Sequence, residues 1–98
     1  VIWSPHAVDR VAEIAAFIAA DRPDAARRWV EELFSAAKSL SAFPEQGRSV
    51  PELNQPEYRE LIFGQYRVIY RVDRTKVNII TVRHGRRLFD PSEFEDAE

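Results

Sequence analysis

Residues 58–87 read YRELIFGQYRVIYRVDRTKVNIITVRHGRR, and the reading of this run decides the fold. Apolar residues alternate with polar and basic ones at a period of two, the period of a strand with one buried face. The alternation is interrupted at Gly64-Gln65 and at Arg74-Thr75, each a two-residue hairpin candidate. Three antiparallel strands are therefore expected, at about 57–63, 66–73 and 76–84. Gly64 suits the positive φ that such a turn requires, whereas Arg74-Thr75 is poorer turn chemistry.

Period two also assigns faces. Leu61, Phe63, Tyr66, Val68, Tyr70, Val72, Val77 and Ile79 fall on one side, a continuous apolar surface suited to receive helices. Ile62, Arg67, Ile69, Arg71, Asn78, Ile80, Val82 and His84 fall on the other. That second face mixes apolar and basic residues, and an exposed face of this kind points toward a partner. Arg67, in the middle of the central strand, needs a counter-charge or an anionic ligand. The run holds eight basic residues against two acidic ones, a net of +6 in a chain of formal charge −2, so the other residues carry −8. A basic sheet in an otherwise acidic molecule implies a directed contact with something anionic.

Upstream of the run the period changes to that of helices. Val1-Ile2-Trp3 is a short β-type stretch, and Ser4-Pro5 is a helix start: serine caps an orphan amide, and proline at the first position forfeits no bond. Ala7, Val11, Ile14 and Ile18 recur at helical spacing up to about Asp21, where Pro23 disfavours helical geometry at Arg22. A second helix is expected from Pro23-Asp24 to about Ala42, burying Ala26, Trp29, Val30, Leu33, Ala37 and Leu40. Trp29 and Phe34 read as core residues. The link between the helices is so short that they must form an antiparallel hairpin. Residues 43–56, FPEQGRSVPELNQP, read as an irregular connection, and Asp90 to Glu98 as an acidic, solvated tail.

The 98 residues suit one α+β domain, a strand and helical hairpin followed by a three-stranded antiparallel meander packed on the helices. Cysteine is absent, which excludes a disulfide framework and a thiolate metal site and is compatible with a reducing cytoplasm. No apolar run approaches the roughly 20 residues that span a bilayer. The chain opens on Val1 without a stretch resembling a signal peptide, and one or more residues are expected ahead of it. Two distant histidines and three scattered glycines give neither a recognisable metal site nor a phosphate-cradling loop, and no cofactor is expected.

Four motifs, in order, resemble the RelE/ParE superfamily of toxins from type II toxin–antitoxin modules. Ser4…Ala7…Ile14…Phe17-Ile18…Pro23…Ala26 is similar to its opening helix and turn, and Leu40…Phe43-Pro44…Gly47-Arg48 to its connector. Tyr66-Arg67-Val68-Ile69-Tyr70-Arg71-Val72 is similar to its central strand, and Val82-Arg83-His84-Gly85-Arg86-Arg87 to its ending. The resemblance covers nearly the whole chain and implies the same fold. It also implies an antitoxin whose C-terminal segment wraps the toxin, forming a hetero-oligomer in the cytoplasm. For such contacts the expected surface is Arg67, Ile69, Arg71, Ile80, Val82, His84, Arg86 and Arg87.

The superfamily implies two mechanisms. RelE-like members cut mRNA on the ribosome without a metal, which needs cations on the phosphate and proton transfer at the 2′ and 5′ oxygens. In that case Arg67 would stabilise the phosphate, with Arg59, Arg86 and Arg87 beside it, His84 as acid or base, and Glu60 as a base. Several residues depart from that pattern. Lysine occurs only at Lys38 and Lys76, no tyrosine follows Tyr70, Phe89 cannot transfer a proton, and the tail is acidic. ParE-like members inhibit DNA gyrase by binding it, which needs a surface with aromatic or arginine anchors and no catalytic constellation. The two long helices and the His-Gly-Arg-Arg ending favour this branch, with ribosome-dependent mRNA cleavage as the alternative.

Overall fold

The computed structural model describes residues 1–85, and in it the 58–84 run forms three antiparallel strands: β3 (Tyr58–Phe63), β4 (Tyr66–Asp73) and β5 (Lys76–His84). The first turn takes φ +59° at Gly64 and the second takes φ +59° at Arg74. A left-handed residue with a side chain costs about 1–2 kcal/mol, so the second hairpin closes under strain that the first avoids. β1 (Ile2–Trp3) joins the sheet parallel to β5, and a two-residue strand, β2 (Arg48–Ser49), pairs with β3 at the opposite edge. The order across the sheet is β1-β5-β4-β3-β2.

Helices α1 (Pro5–Ala19) and α2 (Pro23–Lys38) form the expected hairpin, and a 3₁₀ turn over Ser39–Ser41 extends the second. Ser4 ties α1 to the sheet. Its Oγ accepts from the Ala7 amide at 3.0 Å and donates to the Ile80 carbonyl at 3.0 Å. Its own amide donates to the Ile79 carbonyl at 3.0 Å. Ala7, Val11, Leu33, Ala37 and Leu40 pack on Val68, Tyr70, Val77, Ile79 and Val82, with Trp29 edge-on to Phe63 and Tyr66. Alanine at two of these helix positions, Ala7 and Ala37, lets the hairpin lie close on the sheet. Phe34 departs from the core expectation: it is 40% exposed and leans on Trp3 with ring centroids 4.6 Å apart.

The face assignment breaks at one residue. Ile69 lies opposite Thr81 but Tyr70 lies opposite Ile79, so Ile80 is the extra residue of a bulge on β5. Beyond it the parity of β5 reverses. Val82 opposite Val68 and His84 opposite Tyr66 turn toward the helices, and Arg83 takes the outer side opposite Arg67. Val82 and His84 are thus corrected from the outer face to the helix face.

The outer face is also covered rather than open. β2 carries the chain around the sheet edge, and the segment 50–56 lies over the outer side as a strap. Val50, Tyr58, Ile69 and Ile80 form a second small core with Leu53 packed against it. Ile69 is fully buried and Ile80 is 4% exposed. What reads as an irregular connection in sequence is a roof. Within it the amides of Leu53 and Asn54 donate to the Val50 carbonyl, and at its end the Tyr58 amide of β3 donates to the Gln55 carbonyl. Side chains supply the rest of its hold on the sheet below.

Candidate functional site

The strap and the central strand meet at Arg67. Burying a guanidinium is costly unless its donors are satisfied by carboxylates, and two carboxylates do so here. Glu52, on the strap, accepts from Nη1 at 2.7 Å and from Nη2 at 2.8 Å. Glu60, on β3, accepts from Nε at 3.1 Å and also from Nη2. Arg48 on β2 donates to the other oxygen of Glu60, through Nε at 3.0 Å and Nη2 at 2.9 Å. The Arg67 side chain is 5% exposed, Glu60 is closed to solvent, and Arg48 is two-thirds exposed. The hydrogen bonds from Arg67 hold the Glu52 carboxyl below its ordinary value of 4.5, against the opposing effect of burial. Those from Glu52, followed by Glu60, push the already high pKa of Arg67 higher still. Arg67 is a fixed cation and cannot serve as an acid.

On the helix side, Tyr70 and Arg59 hold the connector between α2 and β2. The Tyr70 hydroxyl donates to the Pro44 carbonyl at 2.8 Å and accepts from the Gly47 amide at 2.8 Å. Burial raises the pKa of this phenol. Arg59 donates to the Gly47 carbonyl at 2.8 Å. A Cβ on Gly47 would lie 2.5 Å from the Tyr70 hydroxyl and 2.6 Å from the Glu60 carbonyl oxygen. Glycine is required there by close approach, which gives the connector motif its physical meaning.

At the end of the sheet nearest the β3–β4 turn, the Tyr66 and His84 rings meet edge-on with centroids 5.7 Å apart. A cleft opens on either side of this pair. One, of 370 Å³, runs beside α1, with Ile14, Phe17 and Val82 as its apolar part and Arg10, Glu13 and Arg83 at its rim. Phe17 is 80% exposed there. The other, of 290 Å³, lies on the outer side and brings together Arg48, Arg67 and His84, with no acidic residue among the described residues of its lining. Carboxylate or phosphate groups suit such a cleft on charge alone.

The residues expected from sequence to form one surface are therefore divided. Arg67, Ile69 and Ile80 lie under the strap, Val82 is in the helix-side core, Arg71 is half-buried on the outer side, and Arg59 holds the connector. Glu60, read as a base, is committed to Arg67 and Arg48. Among the described residues, His84 alone of those expected borders both clefts. Arg86, Arg87, Phe89 and the acidic tail lie outside the described residues. Arg48 and Glu52 were not anticipated. Their sole sequence signal is a basic and an acidic residue flanking Val50-Pro51, which does not reveal that the segment folds over the sheet. Among the described residues no group of three His, Asp or Glu side chains is placed to hold a metal ion, and no helix is long and apolar enough to cross a membrane.

Comparison with known proteins extends these observations. The protein Y4kP of Sinorhizobium fredii, named a putative toxin, is similar, 36% identical over 87 residues that make up 87% of this chain and 86% of that protein. Toxin RelE2 of Caulobacter vibrioides is 35% identical over 89 residues, 90% of this chain and 97% of the relative. A solved chain of the chromosomal ParDE toxin–antitoxin system from P. aeruginosa shares the fold, with a TM-score of 0.71 at 20% identity over 84% of this chain and 90% of that one. The sequence model for the ParE toxin of the type II toxin–antitoxin system parDE matches residues 1–89. Spanning the helical hairpin and the complete sheet, that match shows that the chain belongs to the ParE toxin family of type II toxin–antitoxin systems.

Proposed function

We propose that this toxin acts by binding DNA gyrase, without cleaving a bond itself, and that a cognate antitoxin holds it inactive in a cytoplasmic toxin–antitoxin complex. The observation that carries this reading is the commitment of Arg67 to Glu52 and Glu60 beneath the strap. Cleaving RNA needs a cation open to the scissile phosphate and a base free to take the 2′ proton. Here the central cation faces two carboxylates of its own chain, and Glu60, the carboxylate nearest the strand centre, accepts from two arginines. A binding toxin needs neither group free, since anchoring surface suffices.

The antitoxin is expected to bring acidic groups to the end of the sheet bearing Arg48, Arg83 and His84. Mixed apolar and cationic lining in the cleft beside Phe17 suits an amphipathic segment.

Ribosome-dependent mRNA cleavage is the second reading. It draws support from the relative named toxin RelE2 and from the outer cleft, where His84 and the largely exposed Arg48 lie together. Tightly controlled expression in a bacterial host separates the two. Gyrase binding gives filamentation and a DNA-damage response with mRNA intact. The nuclease reading gives codon-positioned mRNA cuts and arrested translation, and that outcome would overturn the proposal.

A further inference from the structure

The strap leaves the sheet and returns to it at one place. Ser49 of β2 lies opposite Arg59 of β3, so the chain between them is a loop whose ends are already paired. A loop closed at its base can lift without disturbing the strands that carry it. Its main-chain bonds run from the amides of Leu53 and Asn54 to the Val50 carbonyl, with the Tyr58 amide bonded to the Gln55 carbonyl at its end. Pro51 and Pro56 carry no amide hydrogen. The bond to the central strand comes after the strap, from the Val72 amide to the Glu57 carbonyl at 2.8 Å. Val50 and Leu53, packed with Ile69 and Ile80, and the Glu52 carboxylate on Arg67 are what fasten it over β4 and β5.

The surface beneath is built to receive such a segment. Glu60 accepts from Nε and Nη2 of Arg67, which fixes the guanidinium with its Nη1–Nη2 edge toward the strap. A guanidinium held this way offers a two-pronged seat for one carboxylate, and orientation in advance lowers the cost of binding. Thr81, opposite Ile69 on the same side, is 1% exposed, and its hydroxyl has no hydrogen-bond partner among the described residues. The closed strap leaves that penalty in place. With Glu52 lifted away, the outer side carries Arg48, Arg67, Arg71 and Arg83 against Glu60, while Asp73 and Lys76 lie opposite one another at its far end. That balance selects an acidic occupant, and Ile69 and Ile80 select apolar neighbours for its carboxylate.

We propose that the strap is a displaceable cover: it lifts as a unit, and an acidic segment of the antitoxin takes its place. The incoming segment sets a carboxylate on Arg67, apolar side chains on Ile69 and Ile80, and a main-chain carbonyl on the Thr81 hydroxyl. The order in the strap itself, Val50, Glu52, Leu53, is the pattern the occupant repeats. This rests on the reading that a cognate antitoxin holds the toxin, and adds the surface it takes and the chemistry it presents there.

The chain has no cysteine, so one introduced thiol reports the uncovering of one place. Thr81→Cys puts it beneath the strap, and Val68→Cys puts it in the helix-side core, which only global unfolding opens. Alkylation under native conditions should be at least about tenfold faster at position 81 than at 68. Glu52→Gln loosens the cover. It should melt below wild type yet bind the cognate antitoxin at least about tenfold tighter, equal to about 1.4 kcal/mol, because less of the toxin is closed. A merely structural carboxylate predicts equal or weaker capture. Should Glu52→Gln fail to fold, Leu53→Ser loosens the same cover and carries the comparison. Equal alkylation rates at the two positions, or a loosened cover that captures antitoxin no better than wild type, overturns the proposal. A wild-type chain that captures no antitoxin defeats the antitoxin reading alone, and the cover is then judged by the alkylation rates.

Discussion

Arg67 and Glu52, 15 residues apart in the chain, meet in two parallel hydrogen bonds of 2.7 and 2.8 Å across the boundary between sheet and strap. One ion pair thereby connects the central strand to a segment whose main-chain tie to the sheet is the bond from the Tyr58 amide to the Gln55 carbonyl at its end. Glu52→Gln should lower stability by about 1.5–3 kcal/mol, the range for a hydrogen bond to a charged group. For a domain of this size each kcal/mol moves the melting temperature by roughly 4–8 °C. Hydrogen exchange at the Leu53 and Asn54 amides should quicken more than in the helices, because the strap loses its fastening. Equal exchange rates in variant and wild type would show that the apolar contacts of Val50 and Leu53 suffice.

The same pair sets a dependence on acid. The folded carboxyl of Glu52 lies below its ordinary value of 4.5, so the unfolded chain binds its proton first as pH falls. Its stabilisation is fully present above that value and is lost as pH drops through the lower folded one. The stability gap between wild type and Glu52→Gln should therefore be constant near neutrality and shrink below about pH 4.5. Denaturant titration at several pH values measures this, and a gap that widens on acidification would contradict the assignment.

Arg48 and Arg67 both hold Glu60, but from different sides of the solvent boundary. Arg48→Ala removes a largely exposed partner and should cost under about 1 kcal/mol. Arg67→Ala strands Glu52, leaves the buried Glu60 with Arg48 alone, and should cost about 3–5 kcal/mol. Chemical denaturation of the two variants gives the comparison directly, and equal losses would mean that Arg67 is better solvated than its burial indicates.

Gly47 and Tyr70 should show coupling in a double-mutant cycle. Gly47→Ala forces a methyl group against the Tyr70 hydroxyl and the Glu60 carbonyl oxygen, at a cost of about 1–3 kcal/mol. Tyr70→Phe leaves the Pro44 carbonyl and Gly47 amide without that hydroxyl. With the hydroxyl gone, the methyl meets one obstacle fewer, so the double variant should lose less than the two single losses together. Simple additivity would refute the close approach.

The three meander strands, both turns, the helical hairpin and its buried stripe were legible because each follows from local periodicity and capping, whereas β2 lay hidden in a stretch that reads as irregular. The sides of Val82 and His84 were not. Ile80 in the bulge looks like any other β-branched strand residue, yet it reverses the parity of all that follows. The partners of Arg67 were equally hidden. Its need for a counter-charge is plain in sequence, but Glu52 reaches it only because a segment with Pro51 and Pro56 folds across the sheet, a tertiary event with no periodic signature. The candidate site was thus readable in its residue types and misread in its exposure.

The central claim is that the toxin binds a protein target and cuts nothing. The most direct measurement incubates the purified toxin with gyrase and relaxed plasmid, and in parallel with translating ribosomes and a defined mRNA. The account predicts loss of supercoiling in proportion to toxin, with the mRNA full-length. Cleaved mRNA alongside unimpaired supercoiling would contradict it.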